Sequence, residues 1–459
     1  MPTSGIPAPS TAPGSAPSAP GPAPSGLLIP ATVLPHAPVS SQAPVAPHTL
    51  VAPPTAPAMP APRPALRISP AERLTERAKA LQPSLTLAIA ARAKQLKADG
   101  RDICSLSAGE PDFETPEFIR RAAADALAAG LTRYGPAAGE PALREAIAAK
   151  TGRENGRPTT AAEVLVTNGG KQALYNLFQV LLQEGDELLL PSPYWLSYPE
   201  IARMAGARVV ELASSAGQGF RLTAGQLEAA ITPASRLLVL NSPGNPTGTV
   251  LNRGELEAIA DVLRRHPQVA VVCDEIYEFL VDPGHEHISL AGLAPDLADR
   301  VFIVNGCAKG WAMTGWRVGW LVGPEAVIAA AAALQSQTTS NVCTFAQYGA
   351  LAAVNGPRDC VQEMAAEFSR RRTRLSEGLR AIEGITLHPP EGAFYAFPDL
   401  SRFGLDSMQL SNRLLDEVGL AVVPGAAFGD DRCIRLSCAA GPATIDDGLE
   451  RLRRFLGSL

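Results

Sequence analysis

Residues 301–320 read VFIVNGCAKGWAMTGWRVGW and indicate the fold of this chain. The first four are apolar at consecutive positions, which is typical of a strand buried on both faces. Segments with helical periodicity separate this run from similar ones at 164–166, 187–190, 236–240 and 269–273. Such alternation predicts an α/β fold with a mainly parallel sheet. Folds of this kind bind ligands at the carboxyl ends of their strands.

Composition divides the 459 residues into two parts. Residues 1–62 contain no Lys, Arg, Asp or Glu and consist mainly of Pro, Ala, Ser, Gly and Val. Such a segment cannot bury enough apolar surface to offset its ordering entropy, so residues 1–68 are predicted to form a disordered tail. The tail resembles neither a transit peptide nor a secretory signal. One hypothesis is that translation starts at Met59.

Charge and cysteine content narrow the class of protein. A net charge of −5 gives no reason to expect nucleic acid or an anionic membrane as a partner. No apolar run outside the tail is long enough for a transmembrane helix. The seven cysteines are scattered, odd in number and without metal-ligand spacing, which predicts reduced thiols in a cytoplasmic protein and no metal site.

Two helix starts are predicted near the beginning of the folded part. Pro70 is expected in the first turn of one helix, and Thr115 is expected to be the N-cap of another with Pro116 at its first position.

Lys309 is the first candidate for chemistry. It follows the apolar run at 301–304 in a Gly- and Trp-rich turn, with Arg317 eight residues on. A lysine in a partly dry site can lose its proton and attack a carbonyl. The alternative is a surface lysine on a loop, the usual place for this residue type.

Three further turns follow predicted strands. Gly169 and Gly170 open an amphipathic helix whose backbone N–H groups can hold a phosphate, or they form an ordinary strand-to-helix turn. Asn245 lies in NSPGNPTG (241–248), a rigid loop or simply a tight turn. Asp274 ends a buried strand, where a carboxylate needs a cation, with Tyr277 three residues on. Its alternative role is to cap a helix.

One arginine in the carboxyl-terminal part is also a candidate. Arg435 lies among apolar neighbours in a strand-like segment. An inward-facing strand arginine needs an anion as its partner, whereas an arginine on an edge strand would face solvent.

In this order, these segments resemble the class I, fold type I aminotransferases that use pyridoxal 5′-phosphate, most closely the bacterial aspartate and prephenate aminotransferases. The resemblance covers about residues 71–459. It rests on SAGEPDFETP (107–116), YGPAAG (134–139), GGKQAL (169–174), PYWLSYP (193–199), NSPGNPTG (241–248), DEIY (274–277), Lys309 with Arg317, and RLS (435–437).

The resemblance implies a fold and a division into domains. A large cofactor domain over about 115–355 would hold a mostly parallel, seven-stranded sheet between helices. A smaller α+β domain would combine residues 71–114 with 356–459 and close over the substrate.

Roles for the cofactor site follow by position in the motifs. Lys309 would hold the cofactor as a Schiff base and then shuttle the substrate's α-proton, and Asp274 would keep the pyridine nitrogen protonated. The other cofactor contacts would come from Tyr277 and Asn245 at the phenolic oxygen, Trp195 on the ring face, and Gly169, Gly170, Lys171 and Arg317 at the phosphate. Tyr134 would reach the phosphate of a neighbouring subunit, which implies a homodimer.

The substrate contacts implied are Arg435 as the clamp for the α-carboxylate, with Gly109, Trp195 and Asn245 nearby. The implied reaction is ping-pong transfer of an amino group from an L-amino acid, aspartate first, to a 2-oxo acid such as 2-oxoglutarate.

Some positions depart from the family pattern. Cys307 and Ala308 stand where many members have a hydroxyl, which predicts a modest loss of cofactor affinity. Gln82 replaces a basic residue that helps to hold a second carboxylate, leaving Lys171 as the candidate for it. Prephenate, aromatic amino acids and alanine therefore stay open as substrates. So does a carbon–sulfur β-lyase on the same fold, whereas the uncharged tail is unsuited to a DNA-binding domain.

Overall fold

The computed structural model describes residues 69–81, 83 and 85–459. The predicted tail at 1–68 and Gln82 therefore lie outside the described residues. The strands are β1 Cys104–Ser105, β2 Val164–Thr167, β3 Glu187–Ser192, β4 Arg208–Ala213, β5 Ser235–Asn241, β6 Ala270–Asp274, β7 Val301–Gly306, β8 Gly319–Val322, β9 Tyr395–Ala396, β10 Leu420–Ala421, β11 Val423–Pro424 and β12 Ile434–Ser437.

The helices lie between these strands and at both ends of the described part. They are α1 Glu76–Ala80, α2 Leu85–Ala98, α3 Glu117–Ala128, α4 Pro141–Glu154, α5 Gly170–Leu181, α6 Ser197–Met204, α7 Ala224–Ala230, α8 Arg253–Arg265, α9 Leu290–Leu293, α10 Cys307–Gly310, α11 Glu325–Thr338, α12 Thr344–Asn355, α13 Asp359–Arg380, α14 Ser407–Val418 and α15 Pro442–Leu456. Among the described residues, no helix is long and apolar enough to cross a membrane.

The main sheet has seven strands in the order β2-β8-β7-β6-β5-β3-β4. Only β8 runs antiparallel to its neighbours, so the sheet is mostly parallel, as predicted. Helices cover both faces. Along β5, Leu238 and Leu240 pack into one apolar core while Leu237 and Val239 pack into the other. The five apolar runs lie in or overlap strands β2, β3, β5, β6 and β7, most of whose residues are buried.

A second group of elements surrounds two small sheets. Strands β11, β12 and β9 form an antiparallel sheet, and β1 pairs with β10 in parallel. Their core includes Leu106 near the start of the described chain and residues from α13, α14 and α15. Leu106 N–H donates to Ala421 O at 2.9 Å, which ties these distant parts of the sequence together.

Both predicted helix starts were wrong in detail. Pro70 precedes a three-residue 3-10 turn, and α1 begins later because the Thr75 hydroxyl accepts from Ala78 N–H at 3.2 Å and caps it. The N-cap of α3 is Pro116. The Thr115 hydroxyl instead donates to Ala312 O at 2.7 Å, so a tertiary contact replaces the cap.

Candidate functional site

A cavity of about 850 Å³ lies at the carboxyl ends of the central strands. Eleven of the twelve residues predicted for the site line it: Gly109, Gly169, Gly170, Lys171, Trp195, Asn245, Asp274, Tyr277, Lys309, Arg317 and Arg435. The twelfth, Tyr134, is 90% exposed and is not among them. The structure therefore brings together segments that are up to 326 residues apart in the sequence.

Lys309 stands on the cavity wall in the short helix α10, directly after β7. Its ammonium donates to Gly109 O and lies 5.8 Å from the centre of the Tyr277 ring. Desolvation, followed by repulsion from Arg435, lowers the pKa of Lys309 to about 8. At pH 7 about a tenth of the amine is then unprotonated, far more than for an ordinary lysine, and this is the form that nucleophilic or proton-transfer chemistry requires.

Asp274 is the last residue of β6, and its carboxylate is buried. Tyr198 O–H donates to its Oδ2 at 2.7 Å, and Ile276 N–H donates to Oδ1 at 3.3 Å. Burial raises the pKa of Asp274 to about 6 although both hydrogen bonds oppose this. No cation of the described residues lies within ion-pair distance, so the carboxylate can accept a positively charged partner.

Two cations meet at the start of α5. Gly169 is the N-cap with φ +78°, and Arg317 lies directly against it. Lys171 lies in the first turn, with its ammonium 4.9 Å from the centre of the Trp195 ring. Within the described residues, neither cation is in ion-pair contact with a carboxylate. The helix dipole adds to their charge, so this corner suits an anion such as a phosphate.

Arg435 also lines the cavity; it lies on the buried strand β12 and is only 2% exposed. Its guanidinium donates to Asn245 Oδ1 at 3.0 Å and to Ser107 O at 3.1 Å, while Nε has no hydrogen-bond partner in the described part of the chain. No carboxylate among the described residues pairs with it. A buried guanidinium with unused donors is suited to binding a carboxylate ligand.

Tyr198 and Tyr395 were missed by the sequence prediction. Tyr198 lies in the same PYWLSYP motif as Trp195, and the buried end of β6 was a signal that a nearby hydroxyl would be needed. Tyr395 O–H lies 3.0 Å from Tyr277 O–H, and its ring centre is 4.3 Å from the Arg435 guanidinium. No comparable motif marked Tyr395, because it enters the site from the second group of elements.

A buried charge network supports the Asp274–Tyr277 turn from behind. Asn155 Nδ2 donates to Glu275 Oε2 at 2.8 Å, and Lys150 Nζ lies 2.7 Å from Glu278 Oε1. These two carboxylates and His287 place ligand atoms within 4.8 Å of one another, as a metal site would. The Lys150 ammonium already supplies the positive charge, so we interpret the cluster as structural.

The fold and the cavity place the chain among the fold type I enzymes. Residues 101–452 match the family "aminotransferase class I and II". The aspartate/prephenate aminotransferase of Thermus thermophilus is 46% identical over 387 residues, covering 84% of this chain and 99% of that protein. That of Cereibacter sphaeroides is 43% identical over 389 residues, covering 83% and 97%.

Solved structures agree with the sequence relatives. The aspartate aminotransferase of Thermus thermophilus with maleate has 45% identity and a TM-score of 0.79, covering 83% of this chain and 99% of that one. That of Rhizobium meliloti has 39% identity and a TM-score of 0.81, covering 84% and 99%. The chain belongs to the class I and II aminotransferases, whose amino-group transfer depends on pyridoxal 5′-phosphate.

The cavity fits this cofactor. The corner at α5 offers an anion site for the phosphate, and the unpaired Asp274 carboxylate suits a protonated pyridine nitrogen. A Cβ on Gly169 would come within 2.6 Å of Arg317 Nη2, so glycine leaves the arginine its place at the phosphate corner. Cys307 is buried and is not among the residues that line the cavity, and burial raises the pKa of its thiol to about 12, so it stays a neutral, weak hydrogen-bond donor.

Proposed function

We propose that this aminotransferase takes the amino group from aspartate and gives it to 2-oxoglutarate, with the residue roles set out below. The observation that carries the proposal is that Lys309, Asp274 and Arg435 line one cavity. The choice of aspartate rests on the similarity to enzymes named aspartate aminotransferase.

Arg435 would bind the α-carboxylate, which is common to all amino acid substrates. Its two terminal nitrogens give the planar fork that a carboxylate fits. One terminal nitrogen already donates to Asn245 Oδ1 and the other to Ser107 O, so each keeps its second N–H for the substrate. The substrate's α-carbon would then lie in the same cavity as the Lys309 amine.

Bound pyridoxal phosphate supplies an electron sink for the pair left on the α-carbon when its proton departs. Lys309 Nζ, with its pKa lowered to about 8, would accept that proton and return it. Asp274 would hold the proton of the pyridine nitrogen, with Tyr198 orienting the carboxylate. Tyr277 and Asn245 would bond the phenolic oxygen, Trp195 would cover the ring, and Gly169, Gly170, Lys171 and Arg317 would hold the phosphate.

The visible absorption spectrum tests the donor directly. The purified protein should be yellow, lose its colour with aspartate and recover it with 2-oxoglutarate. Lys309→Ala should abolish turnover while the protein stays folded, which circular dichroism would confirm. A yellow protein indifferent to aspartate would refute the choice of donor, and retained turnover in the variant would refute the role of Lys309.

Prephenate is the second candidate substrate, because two of the similar enzymes are named aspartate/prephenate aminotransferase. Prephenate with glutamate as donor should then support turnover in the same preparation. Pyruvate and ammonia released from cysteine-type substrates without any 2-oxo acid would instead indicate a β-lyase.

The proposal includes a homodimer in which Tyr134 reaches the neighbouring site, supported by its exposed side chain. Light scattering should give twice the monomer mass, and Tyr134→Phe should weaken cofactor binding. A fully active monomer would refute this part. The domain limits, 71–114 with 356–459 and 115–355, and a cytoplasmic location also remain proposals. The separate core around the small sheets supports the domain limits.

A further inference from the structure

Tyr395 contacts two functional groups that come from different parts of the fold. It lies on β9, next to β12, which carries Arg435, and its side chain is buried. Its hydroxyl lies 3.0 Å from the hydroxyl of Tyr277, which follows β6 of the main sheet. Its ring lies against the Arg435 guanidinium, with 4.3 Å between centres. One side chain therefore joins the proposed cofactor contact to the proposed carboxylate clamp.

The hydroxyl pair has only two protons to distribute. Burial raises the pKa of both phenols, so both are protonated near neutral pH. Either hydroxyl can be the donor between them. If Tyr277 gives its proton to Tyr395, it has none left for an oxygen in the cavity. If Tyr395 is the donor, the Tyr277 proton is free to point at that oxygen.

The ring of Tyr395 restricts Arg435. A guanidinium stacked on an aromatic face keeps its plane fixed and its in-plane N–H groups available for a carboxylate. Phe428 contacts the same guanidinium with 5.0 Å between centres, so two rings contact the group. The closer ring is that of Tyr395, and it also carries the bond to Tyr277.

We propose that Tyr395 is a positioning residue for both ligands of the site: its hydroxyl donates to Tyr277 and directs the Tyr277 proton toward the cofactor's phenolic oxygen, while its ring orients Arg435 for the substrate carboxylate. The inference rests on the proposed roles of Tyr277 and Arg435. It makes separate predictions for the hydroxyl and for the ring.

Tyr395→Phe tests the hydroxyl, with cofactor affinity as the measurement. Pyridoxal phosphate is titrated into the full-length, cofactor-free protein while tryptophan fluorescence is followed. The variant should bind the cofactor about fivefold more weakly, as expected for the loss of one buried hydrogen bond. The matched control is Tyr194→Phe, which removes a hydroxyl bonded to Glu211 outside the cavity and should leave the affinity unchanged.

A double-mutant cycle with Tyr277→Phe separates this inference from the proposed function. If Tyr395 acts through Tyr277, the double variant should bind the cofactor no more weakly than Tyr277→Phe alone. Two additive losses would overturn the inference. If Tyr277→Phe itself leaves the affinity unchanged, the proposed role of Tyr277 fails. If only Tyr395→Phe has no effect, the inference fails while that role stands.

The ring is tested by comparing Tyr395→Leu with Tyr395→Phe in the holoenzyme. Succinate, which has no amino group to transfer, is titrated by calorimetry. The leucine variant should bind it about three- to tenfold more weakly, from the loss of the stacking contact, while the phenylalanine variant stays within about twofold of the parent. Equal affinities in the two variants would overturn the assigned role of the ring. Should the leucine variant not fold, Tyr395→Met fills similar space without a ring and replaces it.

Discussion

Asp274→Asn should stabilise the cofactor-free protein while abolishing transamination. Burial lifts the pKa of Asp274 from an ordinary 3.8 to about 6, which corresponds to about 3 kcal/mol of destabilisation once the group is ionised in both states. Asparagine has nearly the same shape and carries no charge, so the penalty disappears with it. It can also accept the bond from Tyr198, but it cannot hold a proton on the cofactor's pyridine nitrogen.

The stability gained by Asp274→Asn should depend on pH, because Asp274 titrates at different pH values in the folded and unfolded protein. A carboxyl whose folded pKa is raised binds more protons in the folded state than in the unfolded state between pH 3.8 and about 6, so stability falls as the pH rises through this window. Above about 6 the penalty is complete, and well below 3.8 it is absent. The gain from Asp274→Asn should be about 3 kcal/mol at pH 7.5 and about half of that near pH 5.

The assay is urea unfolding of the cofactor-free protein at both pH values, with protein concentration held constant. The control is Asp282→Asn, which leaves the buried Arg372 guanidinium without its carboxylate and should destabilise by about 3 kcal/mol. An Asp274→Asn variant that is less stable than the parent at pH 7.5 would refute the claim that the buried Asp274 charge destabilises the cofactor-free protein. It would mean that the cofactor-free protein already compensates the Asp274 charge.

Three further substitutions test the supports of the site. Arg435→Ala should raise KM for every amino acid, because the α-carboxylate is common to all; a rise confined to dicarboxylic substrates in steady-state kinetics would assign Arg435 to the second carboxylate. Gly169→Ala should weaken cofactor binding at least tenfold in a fluorescence titration, because the new Cβ displaces Arg317 and alanine is strained at a backbone φ of +78°. An unchanged affinity would refute the proposed role of Arg317 in holding the phosphate. Lys150→Met should lower the free energy of unfolding in urea by about 3–5 kcal/mol, because the carboxylate of Glu278 is left buried without its ion-pair partner. A decrease below about 1 kcal/mol would show that this ion pair contributes little.

Most of the fold could be predicted from local pattern, because strands buried on both faces must be apolar at consecutive positions. The runs at 236–240 and 301–304 both lie within central strands of the sheet. The helix starts were less predictable. Thr115 is of a residue type that often caps helices. Its hydroxyl instead donates to Ala312 O and accepts from Trp316 Nε1 at 3.0 Å. Such a choice depends on groups about 200 residues away that a local pattern does not contain.

The site shows the same division between what is local and what is not. Asp274, Lys309 and Gly169 stand at strand ends, where a parallel sheet puts its ligand site. Tyr395 follows from no such rule, because its contacts with Tyr277 and Arg435 exist only after the second group of elements has packed against the main sheet.

Two opposed pKa shifts indicate what the cavity is built to hold. In the protein alone, Lys309 is less basic and Asp274 less acidic than usual, and burial is the largest cause of both. Each shift represents a charge held without an adequate partner, which costs stability. A protonated pyridine nitrogen would satisfy the carboxylate, and a covalent bond to the amine would remove the ammonium charge. Binding of the cofactor should therefore relieve both unfavourable charges and stabilise the folded protein. For this reason Asp274→Asn is expected to stabilise only the cofactor-free protein.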